Sequence, residues 1–191
     1  MAKRLTIVIP CREGETADTT LESLAHQDFQ DYDVVVAWDE GRGANFARNK
    51  GFSGIDSELV MFCDNDVSWR SGGLKLLVKT LDANPEASYA YGAYFLTNKG
   101  LTVGDGEFSV ERLLRGSFIS PMVVMRTKDF PGWDENIEHF QDWDLFLTMK
   151  EQGHMGVYCG SVVFDTIAVE RAYTSEQVDG WVNKVRKKHG I

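Results

Sequence analysis

The sequence predicts a single α/β domain built on a mostly parallel central sheet, flanked by helices, with a small antiparallel portion. Three observations lead there. Short apolar, β-branched runs occur at residues 5–9, 33–38 and 59–63, each too short for a helix and too uninterrupted for a half-exposed strand. Segments of helical spacing separate them, which makes strand–helix–strand units that are right-handed in nearly all folds. Acidic residues stand directly behind the second and third runs, at Asp39 and at Asp64 and Asp66, where open α/β sheets bind ligands.

The elements follow in order. Leu5-Thr-Ile-Val-Ile-Pro10 is a strand stopped by proline. Cys11 to Glu15 is the loop at its carboxyl end. Asp18 opens a helix as its N-cap, with Leu21, Leu24 and Ala25 on one face, and His26 is a surface residue at its terminus. Residues 33–38 form a second buried strand. Gly41-Arg-Gly43 matches neither a dinucleotide fingerprint nor a phosphate-binding loop. Residues 44–50 form a short helix with Gly51 as C-cap, and Arg48 near its end either answers the helix dipole or aims its fork at diphosphate oxygens. Leu59-Val-Met-Phe-Cys-Asp-Asn-Asp66 is a buried strand ending in two carboxylates. That pair reads either as a polar turn capping the next helix or as the rim of a cation site, since a divalent ion relieves the repulsion of two close carboxylates.

Residues 71–84 are amphipathic, with Leu74, Leu77, Val78 and Leu81 inward and Pro85 beyond the end. Residues 87–95 read as a strand whose tyrosines 89, 91 and 94 belong to sheet and core. Residues 104–116 form an irregular loop of the kind that contacts substrate or simply connects. A strand over 118–125 carries Pro121, which suits an edge or a bulge. Residues 141–152 form a helix with Asp142 and Asp144 in its first turn, as capping residues or as a general base delivered to the cleft. Two short closing strands, 156–159 and 162–164, precede a C-terminal helix over 175–191 with a basic end. The domain is expected to span residues 1–191 without repeat or linker.

Composition excludes several classes. With 29 acidic against 20 basic residues and a formal charge of −9, nonspecific binding to nucleic acid or an anionic membrane is not expected, and an anionic ligand would need a local cation. Cys11, Cys63 and Cys159 are odd in number and widely spaced, so neither a disulfide framework nor a cysteine metal site is suggested. No apolar run reaches the roughly 18 residues of a transmembrane segment. A cytoplasmic protein is expected.

The motifs, in their order, resemble those of the family 2 glycosyltransferases of the GT-A (Rossmann-like) fold over roughly residues 4–170. Residues 5–10 are similar to the family's first strand, Thr20-Leu-Glu-Ser-Leu-Ala-His-Gln27 to its first helix, and Val34-Val-Val-Ala-Trp-Asp39 to its second strand and nucleotide-contacting acid. Ala47-Arg-Asn-Lys-Gly51 resembles Ala-Arg-Asn-x-Gly, Asp64-Asn-Asp66 resembles the DxD motif, and Gln141-Asp-Trp-Asp-Leu145 resembles the helix bearing the base.

The resemblance implies a nucleotide-diphosphate sugar donor, with Pro10, Cys11, Glu13, Asp39, Arg48, Asp64 and Asn65 on the nucleotide-sugar side. It implies Mn²⁺ or Mg²⁺ held by Asp64 and Asp66. Asp142 would take the proton of an acceptor hydroxyl on a glycan, small molecule or modified macromolecule, with inversion at the anomeric carbon. Three departures stand out. Gln141 replaces the family's usual Glu. No histidine lies within 162–175, which leaves Asp165 and His189 as weak substitutes for a late metal ligand. The chain also ends soon after the core, which suggests a small acceptor or a partner. A nucleotidyltransferase would want an Arg- and Lys-bearing glycine-rich signature where Cys11-Arg-Glu-Gly-Glu15 stands, and a haloacid-type phosphatase would carry its DxD after the first strand. The non-enzymatic alternative is a degenerate sugar-nucleotide-binding module acting with a partner.

Overall fold

The protein is described by a computed structural model covering residues 3–168 and 172–191. Eight strands form one sheet in the order β2-β1-β3-β7-β5-β8-β4, with β6 paired to β5. β1 (Leu5–Cys11) lies between β2 (Tyr32–Trp38) and β3 (Leu59–Phe62), both parallel to it. β7 (Val124–Arg126) runs antiparallel between β3 and β5 (Tyr89–Leu96), and β8 (Gly156–Thr166) pairs parallel with β5. β4 (Ser68–Trp69) and β6 (Leu101–Val103) add antiparallel edges that the short runs of sequence did not announce. The antiparallel share is therefore larger than expected, because β7 enters the middle of the sheet against the direction of both its neighbours.

Alternation along β1 separates two cores. Leu5, Ile7, Ile9 and Cys11 face α1 (Asp18–Ala25) and α3 (Gly73–Ala83), while Val8 joins Phe62, Trp133 and Phe146 on the side of α2 (Ala44–Phe52) and α5 (Gln141–Glu151). α6 (Ser175–His189) docks behind α5 through Val185. Its start carries a capping box of Thr174 and Gln177. Tyr89 and Tyr91 are buried and Tyr94 half-buried, in keeping with their place in the sheet.

Several local expectations are corrected. β2 is not buried: it is the terminal strand, and Val36 and Trp38 are exposed. Asp18 does not cap α1, whose N-cap is Ala17. The strand expected over 118–125 shrinks to β7, because Pro121 lacks an N–H and the chain turns there, with the Val123 N–H donating to the Pro121 carbonyl at 2.9 Å. Residues 104–116 hold a short helix, α4 (Val110–Arg115), capped by the Ser109 hydroxyl. The two closing strands are one: Gly160, at φ +76°, makes a bulge that lets β8 continue along β5 with a shifted register.

Candidate functional site

The site lies beyond the carboxyl ends of β1, β2 and β3. Val8 of β1 accepts the Cys63 N–H at 2.9 Å, and Pro10 has the same parity, so its missing N–H faces β3. The next rung of that ladder cannot form. The chain after β3 leaves the sheet at this point and turns through Asp64, Asn65 and Asp66. On the other side of β1 the ladder continues, with the Asp39 N–H donating to the Cys11 carbonyl at 2.9 Å. Pro10, Cys11 and Asp39 thus end side by side, all buried. Asp39 turns its carboxylate to the Gly41 N–H at 3.2 Å.

Asn65 donates to the Glu15 carboxylate at 3.2 Å and to the Thr16 carbonyl at 3.0 Å, and Glu15 also accepts the Arg12 N–H at 3.0 Å. The middle residue of Asp64-Asn-Asp66 therefore ties the β1–α1 loop to this turn. Glu13 sits in an exposed turn of that loop, and Glu15 is the acid that reaches the site. Glu15 was not singled out in the sequence, where nothing but the turn geometry distinguishes the two acids of this five-residue loop. Asp66 is exposed, and partial desolvation together with Asp64 and Glu15 pushes its carboxyl above the usual range.

Each residue of Ala47-Arg-Asn-Lys-Gly51 except Lys50 has a packing task. Ala47 is fully buried. Asn49 clamps the backbone of Trp133, donating to its carbonyl at 2.9 Å and accepting its N–H at 2.9 Å. Gly51 is not the C-cap but lies inside α2, where a Cβ would stand 2.5 Å from Val8 Cγ1 and 2.9 Å from Ala37 Cβ. Arg48 is 6% exposed. Its Nη1 donates to Asn45 Oδ1 at 3.1 Å and to Gln141 Oε1 at 3.0 Å, and its Nη2 to Asp64 Oδ1 at 2.9 Å. The guanidinium lies over the Trp133 ring, 4.6 Å from its centre. Its fork is thus closed on protein groups rather than presented to an incoming diphosphate.

Asp142 is the second residue of α5, two positions after the N-cap Phe140, which takes a left-handed conformation at φ 57° although it is neither Gly nor Asn. The Ser117 hydroxyl donates to Asp142 Oδ2 at 2.7 Å and the Trp143 N–H to Oδ1 at 2.9 Å. Burial pushes the Asp142 carboxyl up, against the opposing pull of Ser117, the Trp143 N–H and Arg48. Ser117 was not singled out in the sequence, where nothing but its adjacency to a loop marked it. That loop is pinned from the sheet, since the Tyr91 hydroxyl donates to the Gly106 carbonyl at 2.8 Å and the Tyr158 hydroxyl to Asp105 at 2.5 Å.

Asp144 points the other way. It is buried with His189 Nε2 at 2.9 Å and Lys188 Nζ at 2.7 Å, and His189 Nδ1 reaches Glu151 at 2.8 Å. Asp165 pairs with Arg70 at 2.7 Å. Both sequence candidates for a late metal ligand are therefore committed elsewhere, and residues 169–171 lie outside the described residues. Among the described residues, no three His, Cys, Asp or Glu side chains are grouped to hold a metal ion. Asp64 and Asp66 still suit one in charge and position, since among the described residues Arg48 is the only cation in an ion pair with either. They offer a partial set of oxygen ligands that phosphate oxygens could complete.

Cys11 and Cys63 are buried, Cys159 is half-buried, and all three are free. Among the described residues no helix is long and apolar enough to cross a membrane.

Residues 35–121 match the family model described as glycosyl transferase family 2. The sequence matches no curated protein. Among solved structures, residues 1–349 of TarS from S. aureus superpose with a TM-score of 0.75 at 15% identity, covering 97% of this chain and 65% of that one. The same protein in complex with UDP-GlcNAc gives a TM-score of 0.75 at 16% identity, covering 97% and 66%. The mannosyltransferase PcManGT from Pyrobaculum calidifontis, in complex with GDP-Man and Mn²⁺, gives 0.73 at 15%, covering 98% and 64%. The chain spans about two thirds of the length of these proteins, and at such identities the likeness is one of fold.

Proposed function

For a chain that carries a glycosyl transferase family 2 segment at residues 35–121 within a GT-A fold, we propose the activity of an inverting glycosyltransferase that moves a sugar from a nucleotide-diphosphate donor to an acceptor hydroxyl. The observation that carries this reading is the Arg48 guanidinium, which bonds both Asp64 and Gln141 and so brings the turn after β3 and the start of α5 to one rim of the sheet. Solved proteins of this fold were captured with UDP-GlcNAc and with GDP-Man, which makes nucleotide-diphosphate sugars the donor class to test.

The nucleoside would lie over the ends of β1 and β2, against Pro10, Cys11 and Asp39, with Glu13 and Asn65 on the flanking loops and Arg48 acting through Asp64. Asp64 and Asp66 would hold Mn²⁺ or Mg²⁺ there, and the cation would supply positive charge to the departing diphosphate. The acceptor oxygen would bond to the anomeric carbon as the bond from that carbon to the phosphate oxygen breaks, its electron pair leaving with the nucleoside diphosphate. The acceptor proton passes to Asp142. Attack from the face opposite the leaving group inverts the configuration. A carboxyl raised by burial is a stronger base than one in water, and Ser117 and the Trp143 N–H fix its orientation.

The test is calorimetric titration of UDP, GDP, CDP and dTDP sugars with and without Mn²⁺, followed by an assay for nucleoside diphosphate release. Metal-dependent binding of one nucleotide class with turnover supports the enzyme. Binding without any release in the presence of varied acceptors supports the degenerate module, a reading that Gln141 and the committed Asp165 and His189 keep in view. No binding across the panel overturns both.

A further inference from the structure

Arg48 is an unusual buried cation. Of its partners only Asp64 is charged; Asn45 and Gln141 are amides, and its Nε is buried without a hydrogen-bond partner. A buried guanidinium is costly unless a counter-charge and further hydrogen bonds satisfy it. Here the single anion comes from the turn proposed to meet the donor, and the neutral arm at 141 is one residue before the proposed base. No other side chain in the described structure bonds both segments.

We propose that Arg48 is a positioning residue that holds the start of α5 in register with the Asp64–Asp66 turn, and that the Gln141 carboxamide is the arm by which it does so. Phe140 makes such an arm necessary. Its left-handed backbone is strained in a residue that is neither Gly nor Asn, so an external hold keeps the first turn of α5 where it is. Trp133 stacks on the guanidinium from one side, which removes its freedom to swing away when Asp64 turns toward another cation. The same hold explains how a neutral Gln can stand at this position, since its carbonyl oxygen accepts from Nη1 as a carboxylate would.

The inference rests on Asp142 as the base, and the experiment separates the two. Gln141→Met removes the acceptor at nearly constant volume, while Gln141→Glu restores it. With wild-type transfer in hand, Gln141→Met should lower kcat about 10- to 100-fold, the size of effect that a small misplacement of a catalytic group produces. Donor KM and the calorimetric Kd should stay within about threefold, because the turn that meets the donor is untouched. Gln141→Glu should recover kcat to within about threefold of wild type by renewing the bond. Unchanged kcat in Gln141→Met overturns the proposal, as does a loss that Gln141→Glu fails to recover. A fall in Tm with kcat preserved would mark the contact as merely structural, which also overturns it.

Amide hydrogen exchange gives the readout that does not depend on turnover. In Arg48→Met, exchange should rise at residues 64–66 and 141–144 together, and in Gln141→Met at 141–144 alone. If the wild type binds donor but never transfers, the base reading fails while this exchange pattern still decides the tether. Exchange unchanged at 141–144 in both variants overturns it.

Discussion

Asp142 carries two opposed demands. Its folded-state carboxyl is raised above its unfolded value by burial, so the ionised form that the proposed role of base requires is the form the fold disfavours. A carboxyl raised on folding contributes stability below its unfolded pKa and loses it as pH climbs through the folded value. At neutral pH the charged Asp142 is therefore a cost. Asp142→Asn should raise Tm at pH 7, with the gain vanishing under acid conditions where wild-type Asp142 is already neutral, while kcat falls about 10²- to 10⁴-fold and donor affinity is kept. Thermal melts across pH alongside kinetics check all three; a variant with wild-type turnover removes Asp142 from the role of base. Asp66 shares that sign, because partial desolvation and the neighbouring Asp64 and Glu15 push its carboxyl up as well, though it is exposed and the effect is smaller. Asp66→Ala should cut Mn²⁺-dependent donor affinity by about 10- to 100-fold while raising Tm slightly at pH 7 in the absence of metal. Undiminished affinity would take it out of the cation site.

At the scale of elements, α2 and α6 do the work that the sequence only half revealed. The resemblance of Ala47-Arg-Asn-Lys-Gly51 to a family motif located α2, but spacing alone read Gly51 as a cap, because glycine after a helical run usually is one. What decides the matter is Val8, a residue 43 positions earlier in the chain, whose methyl would collide with any side chain at 51. Gly51→Ala should destabilise the protein by about 1–3 kcal/mol in urea unfolding, through overpacking rather than lost flexibility. For α6, the sequence shows a basic end and nothing of what that end contacts. Lys188 and His189 reach back to Asp144 on α5, a long-range pairing that no local pattern encodes. His189→Ala leaves Asp144 with Lys188 alone and should cost about 1–3 kcal/mol. The strands with continuous apolar runs, β1 and β3, were legible because burial on both faces leaves its mark on every residue. β4 and β6 were not, since two or three residues carry no period.

For the whole molecule, charge decides how ligands arrive. A chain of net −9 that gathers Asp64, Asp66 and Glu15 at one rim repels a diphosphate, and the Arg48 guanidinium nearby is already engaged. With two carboxylates and no third protein ligand among the described residues, Mn²⁺ alone should bind weakly. Cation and donor are then expected to bind together, each raising the other's affinity by the same factor. Titrating Mn²⁺ with and without nucleotide sugar measures that factor in both directions; equal Mn²⁺ affinity in the two titrations would remove the coupling. The GT-A architecture could be anticipated from the order of the motifs. The antiparallel entry of β7 could not, because strand direction in mid-sheet depends on how the chain returns and not on the three residues that pair.

Pro10 sets the boundary between two ways of holding the cleft. Because residue 10 has no hydrogen to give, the seam between β1 and β3 opens just short of the acidic turn, while the seam between β1 and β2 stays closed as far as Asp39. One bank of the cleft is anchored to the sheet and the other hangs from side chains: Thr20 beneath it, Asn65 toward one neighbour and Arg48 toward another. A missing proton in the backbone thus divides the cleft into a bank riveted by main-chain bonds at Pro10, Cys11 and Asp39 and a bank of carboxylates tied down by side chains alone.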